Sequence, residues 1–453
     1  MLDNKERKSN IHFKWTNLEE WLLINPPSCY EPTDALAILS KYILCGERYL
    51  TALPKKSGRT QKEQLTADKI NESCRHFRIY FMEIHATWLY DKLTNNKSIH
   101  KRLNELLLSA AALCPELVPT REQMSQEREL IQREKEGREI DQGIFFWGLL
   151  RIPEIGSHIF RAMLKPTVRA QELFHKFYQK NTLNLGNIQI EKRDTVAYLT
   201  IQNEQHLNSE DNALIENMEV AVDLVLLHEK IHVAVLRGGI MSHPKYNGHR
   251  VFSAGINLKH LHEGKISFVE FLLQRELGYI NKIAYGLLHN TCNGSWDSRM
   301  LSKPWIGAVD SFAIGGGAQL LLVLDKIIAS SNSYFSLPAA REGIIPGVAN
   351  LRLPRLTGRR IARQIILEGR KIFANEPDAK LIFDEVVDPL EMDAAITASI
   401  SRLDSPAVMA NIKMLNLAEE SIDTFCSYMA EFSLEQSKRL YSKDVLDKIK
   451  PAN

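Results

Sequence analysis

The chain has 453 residues, 44% hydrophobic and 25% charged, with 57 Lys and Arg against 55 Asp and Glu. That composition belongs to a globular protein long enough for about two domains. A formal net charge of +2 builds no field suited to nucleic acid or to an anionic membrane surface, so neither is expected as a partner.

The opening MLDNKERKSN is polar with no apolar segment behind it, and no apolar run approaches a membrane span, so a cytoplasmic location is the expectation. Cys29, Cys45, Cys74, Cys114, Cys292 and Cys426 show no CxxC spacing. They are expected to be reduced and mostly buried, with neither a zinc site nor a disulfide framework. Residues 1–185 read as an all-helical domain. Leu36, Leu39, Tyr42, Ile43 and Leu50 recur at helical spacing behind Thr33-Asp34, which serve as a cap, and Lys55 to Gly58 form a solvated turn. Ala67 to Leu93 is a long helix with Phe77, Tyr80, Phe81, Ile84, Trp88 and Leu89 on one side, and Leu103 to Leu113 is another, closed by Pro115 and Pro119. Arg121 to Asp141 is so charged that it reads as a solvated helix face. Trp15, Trp21, Trp88 and Trp147 are expected in a core or an interface.

Near Leu185-Gly186-Asn187 the pattern changes. Ile188 to Ile201 holds two alternating runs split at Arg193-Asp194, a hairpin signal. A helix over Ala213 to His228 follows, then a strand over Val233 to Leu236 ending at Arg237-Gly238-Gly239, and this order predicts an α/β unit whose working end lies at the carboxyl edge of the strands. The loop at that edge, Gly239 to Phe252, runs into Ser253-Ala254-Gly255-Ile256-Asn257-Leu258. Trp305 to Ile314 reads as one buried strand, Gly315-Gly316-Gly317 as the turn after it, and Leu320 to Leu324 as helix.

A glycine triplet at a strand-to-helix junction serves either as a tight packing turn or as a place where bare N–H groups meet an anion. The chain holds two glycine-bearing junctions, each straight after a predicted strand. Were the layers to bring them together, the N–H of Ile256 and the N–H of Gly316 would aim at one carbonyl oxygen and form a two-donor oxyanion hole. His260 and His262, two residues apart with no third partner, do not make a metal site.

These residues carry a resemblance. AVDSFAIGGGAQLLLVLDKIIA resembles the signature of the crotonase (enoyl-CoA hydratase/isomerase) superfamily, FSAGINL its first oxyanion-hole segment, and GIIPGVANLRLPRLTG, Gly343 to Gly358, its following IPG segment. The resemblance implies an α/β fold with a repeated ββα spiral core over 186–400, behind the helical domain 1–185. A helical segment over 401–453 would serve oligomerisation and cover the active site. The family binds acyl-CoA thioesters and stabilises their enolates. Removing one oxyanion donor typically costs about 10² to 10³ in rate.

Hydratases of the family place glutamates where this chain has Gln319 and Ala339. Glutamine does not titrate usefully and alanine has no polar atom, so addition of water to a double bond is not expected. An enolate beside an apolar wall suits a small apolar co-substrate such as O₂. The segments HPKY, FSAGINLKHLHEG, LLQRELGYI and SYFSLPAA resemble one branch of the family, the cofactor-independent dioxygenases of glycopeptide-antibiotic biosynthesis that act on 3,5-dihydroxyphenylacetyl-CoA. That branch also carries an extra helical domain.

The resemblance implies Ile256 and Gly316 as oxyanion-hole amides, and Gln319, Glu210 and Arg275 as partners of the ring hydroxyls. It implies His243, Pro244, Lys245, Tyr246, Ala254, Gly255, Asn257, Leu258 and Lys259 along the CoA and thioester channel, and Ile345, Pro346 and Gly347 at the acyl end. Leu258, Ala339, Ile344 and Val445 would shape an O₂ pocket. No metal and no cofactor is expected, the partners are the acyl-CoA and O₂, and a homo-oligomer, a trimer or dimer of trimers, is implied. Read from residues alone, Arg275 equally suits a surface ion pair, Glu210 a cap for the helix near Asn212, and His243 an exposed loop. The rival functions are thioester hydrolysis without O₂ and a non-catalytic acyl-CoA-binding scaffold.

Overall fold

The computed structural model describes residues 16–26, 28, 31–289 and 300–449. Trp15, Cys29 and Cys292 lie outside the described residues. The chain opens with helices Leu18–Leu22, Pro32–Thr51, Gln61–Thr94, Leu103–Leu113, Arg121–Arg128, Arg138–Leu150, Pro153–Met163 and Val168–Lys180. Local chemistry starts them. Pro32 and Pro153 occupy first-turn positions that need no N–H, and Thr60 with Glu63 forms a capping box ahead of the longest helix. Thr33 and Asp34 therefore lie inside the first turn and are not the cap. Trp21 stacks on Tyr42 at 4.4 Å and Tyr42 on Phe77 at 3.6 Å, which pins the first three helices together. Among the described tryptophans, Trp21 lies in the main core and Trp88 and Trp147 pack against it. Trp147 is partly exposed, donating to Glu431 under the Arg151 guanidinium, and on the long helix Ile84 faces solvent.

The charged run 121–141 is not a solvated face. It breaks into two helices around buried charges: Glu127 accepts from the backbone N–H of Glu136 and Arg138, Lys135 donates to Gly264 O at 2.6 Å, and Asp141 pairs with Arg75 and Arg78. Glu139 accepts from Phe268 N–H at 2.8 Å and Tyr441 O–H at 2.7 Å. Each burial is tolerated because a partner replaces water, from within the run for Glu127 and from a distant segment for Lys135, Glu139 and Asp141. Composition alone could not show those partners.

Ten strands build the two larger sheets: β1 Thr182–Asn184, β2 Ile188–Arg193, β3 Val196–Ile201, β4 Val233–Gly238, β5 Trp305–Val309, β6 Phe312–Ile314, β7 Lys326–Ser330, β8 Tyr334–Ser336, β9 Lys371–Phe373 and β10 Glu385–Val387. β2 and β3 form the expected hairpin, with Asp194 at φ 51 in its turn. β3, β4, β5, β7 and β10 are parallel neighbours in a seven-stranded sheet edged by β2 and β1, while β6, β8 and β9 make a second, three-stranded sheet. The single strand expected over Trp305 to Ile314 is thus two. The chain leaves the large sheet at Asp310, which Arg237 holds through two bonds of 2.6 and 2.8 Å, and enters the small one.

Parallel pairing puts the carboxyl ends of β3 and β4 together, and β6 delivers the glycine triplet to the same edge. Helix Asn212–Leu227, capped by Asp211, lies between β3 and β4. Helix Ile422–Arg439 packs on Arg138–Leu150 and Pro153–Met163, so the first and last parts of the chain share one continuous core with the sheet. At its centre Lys282 Nζ meets Glu219 at 2.8 Å and Asp223 at 2.6 Å, and Arg102, from the leading helices, also pairs with Glu219. Among the described residues no helix is long and apolar enough to cross a membrane.

Candidate active site

The two glycine junctions meet. Gly255 at φ +83 and Gly315 at φ +54 both need the left-handed region, and a Cβ on Gly255 would lie 3.2 Å from Gly315 Cα and 3.3 Å from Gly316 N. Gly255 is expected straight after a strand, but β4 ends at Gly238. An irregular loop intervenes, pinned by isolated bridges that include Ser253 to Ala313 and Glu210 to Ile256. In the second bridge Glu210 N–H donates to Gly255 O at 2.7 Å and Asn257 N–H to Glu210 O at 2.9 Å. Both bonds use residues flanking Ile256, so its own N–H turns to the opposite side. Gly316 opens helix Gly316–Leu321, where the first N–H has no partner in the helix. Neither amide donates to a described residue.

Beside them lies a buried polar cluster. Arg275 Nε and Nη2 grip Glu210 at 3.0 and 3.1 Å, Nη1 reaches Glu276 at 2.8 Å and Gln319 Oε1 at 3.0 Å, and Nη2 also donates to Gly316 O. Arg275 is 3% exposed, so it is no surface ion-pair partner. Burial disfavours its charge, but Glu210 and Glu276 outweigh that and raise the guanidinium pKa. Burial likewise raises the Tyr279 phenol, which stays protonated and donates to Glu210 at 3.4 Å. Asp211 caps the helix at Asn212, which leaves Glu210 for Arg275. Arg275 lies between two π-helical turns, Phe268–Leu273 and Glu276–Ile280, the second of which carries Glu276 and Tyr279 and has Gly278 non-helical at φ −95, ψ −108. Such irregular turns are enriched at functional sites.

The junctions and the cluster line one cleft, whose cavity measures about 110 Å³. The enoyl-CoA hydratase/isomerase family model matches residues 191–418. The chain belongs to that family. Its fold is the family's α/β crotonase fold, preceded by a helical region and followed by C-terminal helices. The (3,5-dihydroxyphenyl)acetyl-CoA 1,2-dioxygenase of Amycolatopsis orientalis is 53% identical over 89% of this chain and 92% of its own. A short-chain-enoyl-CoA hydratase of Clostridium acetobutylicum is 27% identical over 56% of this chain and 93% of its own. Among solved structures, an enoyl-CoA hydratase of Mycobacterium avium subsp. paratuberculosis K-10 is 22% identical, with a TM-score of 0.48, covering 59% of this chain and 99% of that one.

Within this crotonase cleft stand Glu210, Ala254, Gly255, Ile256, Leu258, Arg275, Gly316, Gln319, Ala339, Ile344, Ile345, Pro346 and Gly347. His243, Pro244, Lys245, Tyr246, Asn257, Lys259 and Val445 are not in its wall. His243 to Tyr246 form a surface turn with Tyr246 against Phe312, Asn257 caps helix Leu258–His262, and Lys259 is exposed. Val445 is buried behind Gly343, next to Ile344. Sequence reasoning missed Glu276, Phe271, Leu337, Glu342 and Phe432, all in the wall. Glu276 escaped because successive residues of a regular helix point about 100° apart. The one available hint was Gly278, a glycine inside an apolar helical run. Helix Ile422–Arg439 backs the acyl end, its Gln436 accepting from Ile345 N–H at 2.8 Å and its Tyr428 donating to Gly347 O. Among the described residues no group of three or more His, Cys, Asp and Glu is disposed to hold a metal ion, and Cys45, Cys74, Cys114 and Cys426 are free.

Proposed function

We propose that the protein is a cofactor-independent dioxygenase converting 3,5-dihydroxyphenylacetyl-CoA and O₂ to 3,5-dihydroxyphenylglyoxylate and CoA. The observation that carries the reading is the approach of Gly255-Ile256 to Gly315-Gly316 on a buried cleft with an apolar wall of Leu337, Ala339 and Ile344. The similarity to the Amycolatopsis dioxygenase over nearly the whole chain supports it.

The thioester oxygen sits between the N–H groups of Ile256 and Gly316. Two fixed donors stabilise the negative charge that develops when an α-proton leaves, and they do so in a site that excludes water. The enolate then transfers electrons to O₂ held against Ala339 and Ile344, forming a Cα–O bond. Attack of the outer peroxide oxygen on the thioester carbonyl breaks the C–S bond and releases CoA as its thiolate, which takes up a proton; loss of the second α-proton then forms the keto C=O as the O–O bond breaks, leaving the α-keto acid. Both atoms of O₂ end in the product and the substrate supplies all the electrons, so the balance needs no flavin or metal. His243 to Tyr246, Asn257 and Lys259 flank the route of the CoA arm, and Val445 supports the O₂ pocket from behind. Helix Pro406–Glu419, which presents Met414, Leu415 and Leu417 to solvent, is the surface for self-association into a trimer or dimer of trimers.

Incubation with 3,5-dihydroxyphenylacetyl-CoA under ¹⁸O₂ tests the reading. Mass spectrometry is expected to find a glyoxylate carrying two ¹⁸O atoms. Release of CoA at an undiminished rate without oxygen would overturn it in favour of hydrolysis.

A further inference from the structure

A guanidinium has five N–H donors and no acceptor. In Arg275 all five are committed inside the protein: one to Glu210 Oε2, one to Glu210 Oε1, one to Gly316 O, one to Glu276 Oε1 and one to Gln319 Oε1. The residue expected to reach the ring hydroxyls therefore has no donor left for them. What it does is hold two carboxyl groups and one amide in fixed orientations.

Those orientations define what the cleft can receive. Glu276 Oε2 takes one bond, from Val348 N–H at 3.2 Å, and Oε1 one from Arg275, so each oxygen keeps a lone pair. Gln319 must turn Oε1 toward the donor-only guanidinium, which points its Nε2 hydrogens away from Arg275 and leaves them without a partner among the described residues. The two groups converge beside one glycine: a Cβ on Gly347 would fall 2.1 Å from Glu276 Oε1 and 2.6 Å from Gln319 Oε1. Both line the cleft, and Glu276 is 3% exposed. A group seated there meets two acceptor oxygens and has to donate. A hydroxyl does so, whereas a carbonyl oxygen, a methyl or a hydrogen does not.

We propose that Glu276 is a specificity-determining residue: its carboxylate accepts the hydrogen bond of one ring hydroxyl, while Glu210 takes the other hydroxyl. The inference rests on the arylacetyl-CoA reading above. An analogue lacking that hydroxyl leaves a buried carboxylate lone pair facing nothing, the situation in which polar sites discriminate most strongly.

The test uses non-hydrolysable thioether analogues of the CoA ester carrying 3,5-dihydroxyphenyl, 3-hydroxyphenyl and phenyl rings, titrated calorimetrically into the full chain. The wild type should bind the dihydroxy analogue at least about 30-fold tighter than the monohydroxy one. In Glu276→Gln the side-chain oxygen stays on Arg275 and an N–H meets the hydroxyl, so the ratio should fall to about threefold or less, with monohydroxy affinity changed less than about threefold. Glu276→Asp keeps the charge but withdraws the oxygen by a methylene. It should also lower the ratio, and it carries the test if the glutamine variant does not fold. A wild-type ratio near one, or variants that weaken all three analogues by the same factor, would overturn the proposal. Binding is read without turnover, so an intact ratio lost on substitution supports Glu276 even where ¹⁸O₂ incorporation fails.

Discussion

Gly316→Ala isolates the most crowded contact of the site. The backbone of Gly316 is helical, so alanine meets no conformational penalty there. Its Cβ, however, would lie 1.7 Å from Glu210 Oε2 and 3.1 Å from Arg275 Nη2, where real Cβ contacts stay beyond 3.0 Å. Glu210 or the glycine backbone must give by more than an ångström, and Glu210 has little room. Its main chain is bridged to Gly255 and Asn257, and its carboxylate is boxed between Arg275 and Tyr279. Losing one charge-assisted bond costs about 1.5–3 kcal/mol, and breaking the buried pair outright about 3–5 kcal/mol. If the backbone yields instead, the Gly316 N–H leaves the oxyanion position and kcat/KM falls by about 10²-fold or more. Urea unfolding followed by far-ultraviolet circular dichroism and steady-state oxygen uptake measure the two. We expect a stability loss of about 2–4 kcal/mol together with the rate loss. Gly58→Ala, whose Cβ would meet nothing within 4 Å, should change stability by less than about 0.5 kcal/mol. Removing the carboxylate removes the clash, so Gly316→Ala should add little to Glu210→Ala. Additivity of the two within about 0.5 kcal/mol would refute the reasoning.

Lys282→Met leaves Asp223 without its cation and Glu219 with Arg102 alone, all in the core; a loss of about 3–5 kcal/mol is expected in urea unfolding, and a loss under about 1 kcal/mol would show that the network is not held by the lysine. Burial pushes the Asp325 carboxyl from 3.8 up to about 7, against the lowering effect of the Trp305 N–H bonded to it at 2.7 Å. Below that window both states are protonated; across it the unfolded chain releases a proton that the folded chain keeps, so stability falls as pH rises from 3.8 toward 7. Asp325→Asn should flatten that limb of the stability profile, and an unchanged slope would contradict the assignment. Ala339→Phe fills the buried apolar wall; oxygen uptake should drop at least about tenfold while the dissociation constant of the dihydroxy thioether analogue moves less than about threefold. Equal loss of both would place Ala339 on the thioester path and not in an O₂ pocket.

Elements with a strong local signal were legible. Helix Leu103–Leu113 and the hairpin of β2 and β3 fall where periodicity put them, because an amphipathic repeat reports its buried face directly. The run over 121–141 misled for the complementary reason: a charge reads as exposed unless its partner is known. The partners Arg75, Gly264, Phe268 and Tyr441 lie far away in sequence.

The amino-acid sequence by itself determined the family, the two glycine junctions, and the absence of a carboxylate at Gln319 and Ala339. All are matters of residue identity at fixed spacing. Only the tertiary structure decided that Gly255 lies against Gly316, that Arg275 is buried with every donor spent, and that Glu276 stands beside it in the cleft. The physical reason is that hydrogen-bonding capacity is local to a residue, whereas the partners that consume it come from three chain segments and from a helix whose π-turns shift the direction of its side chains.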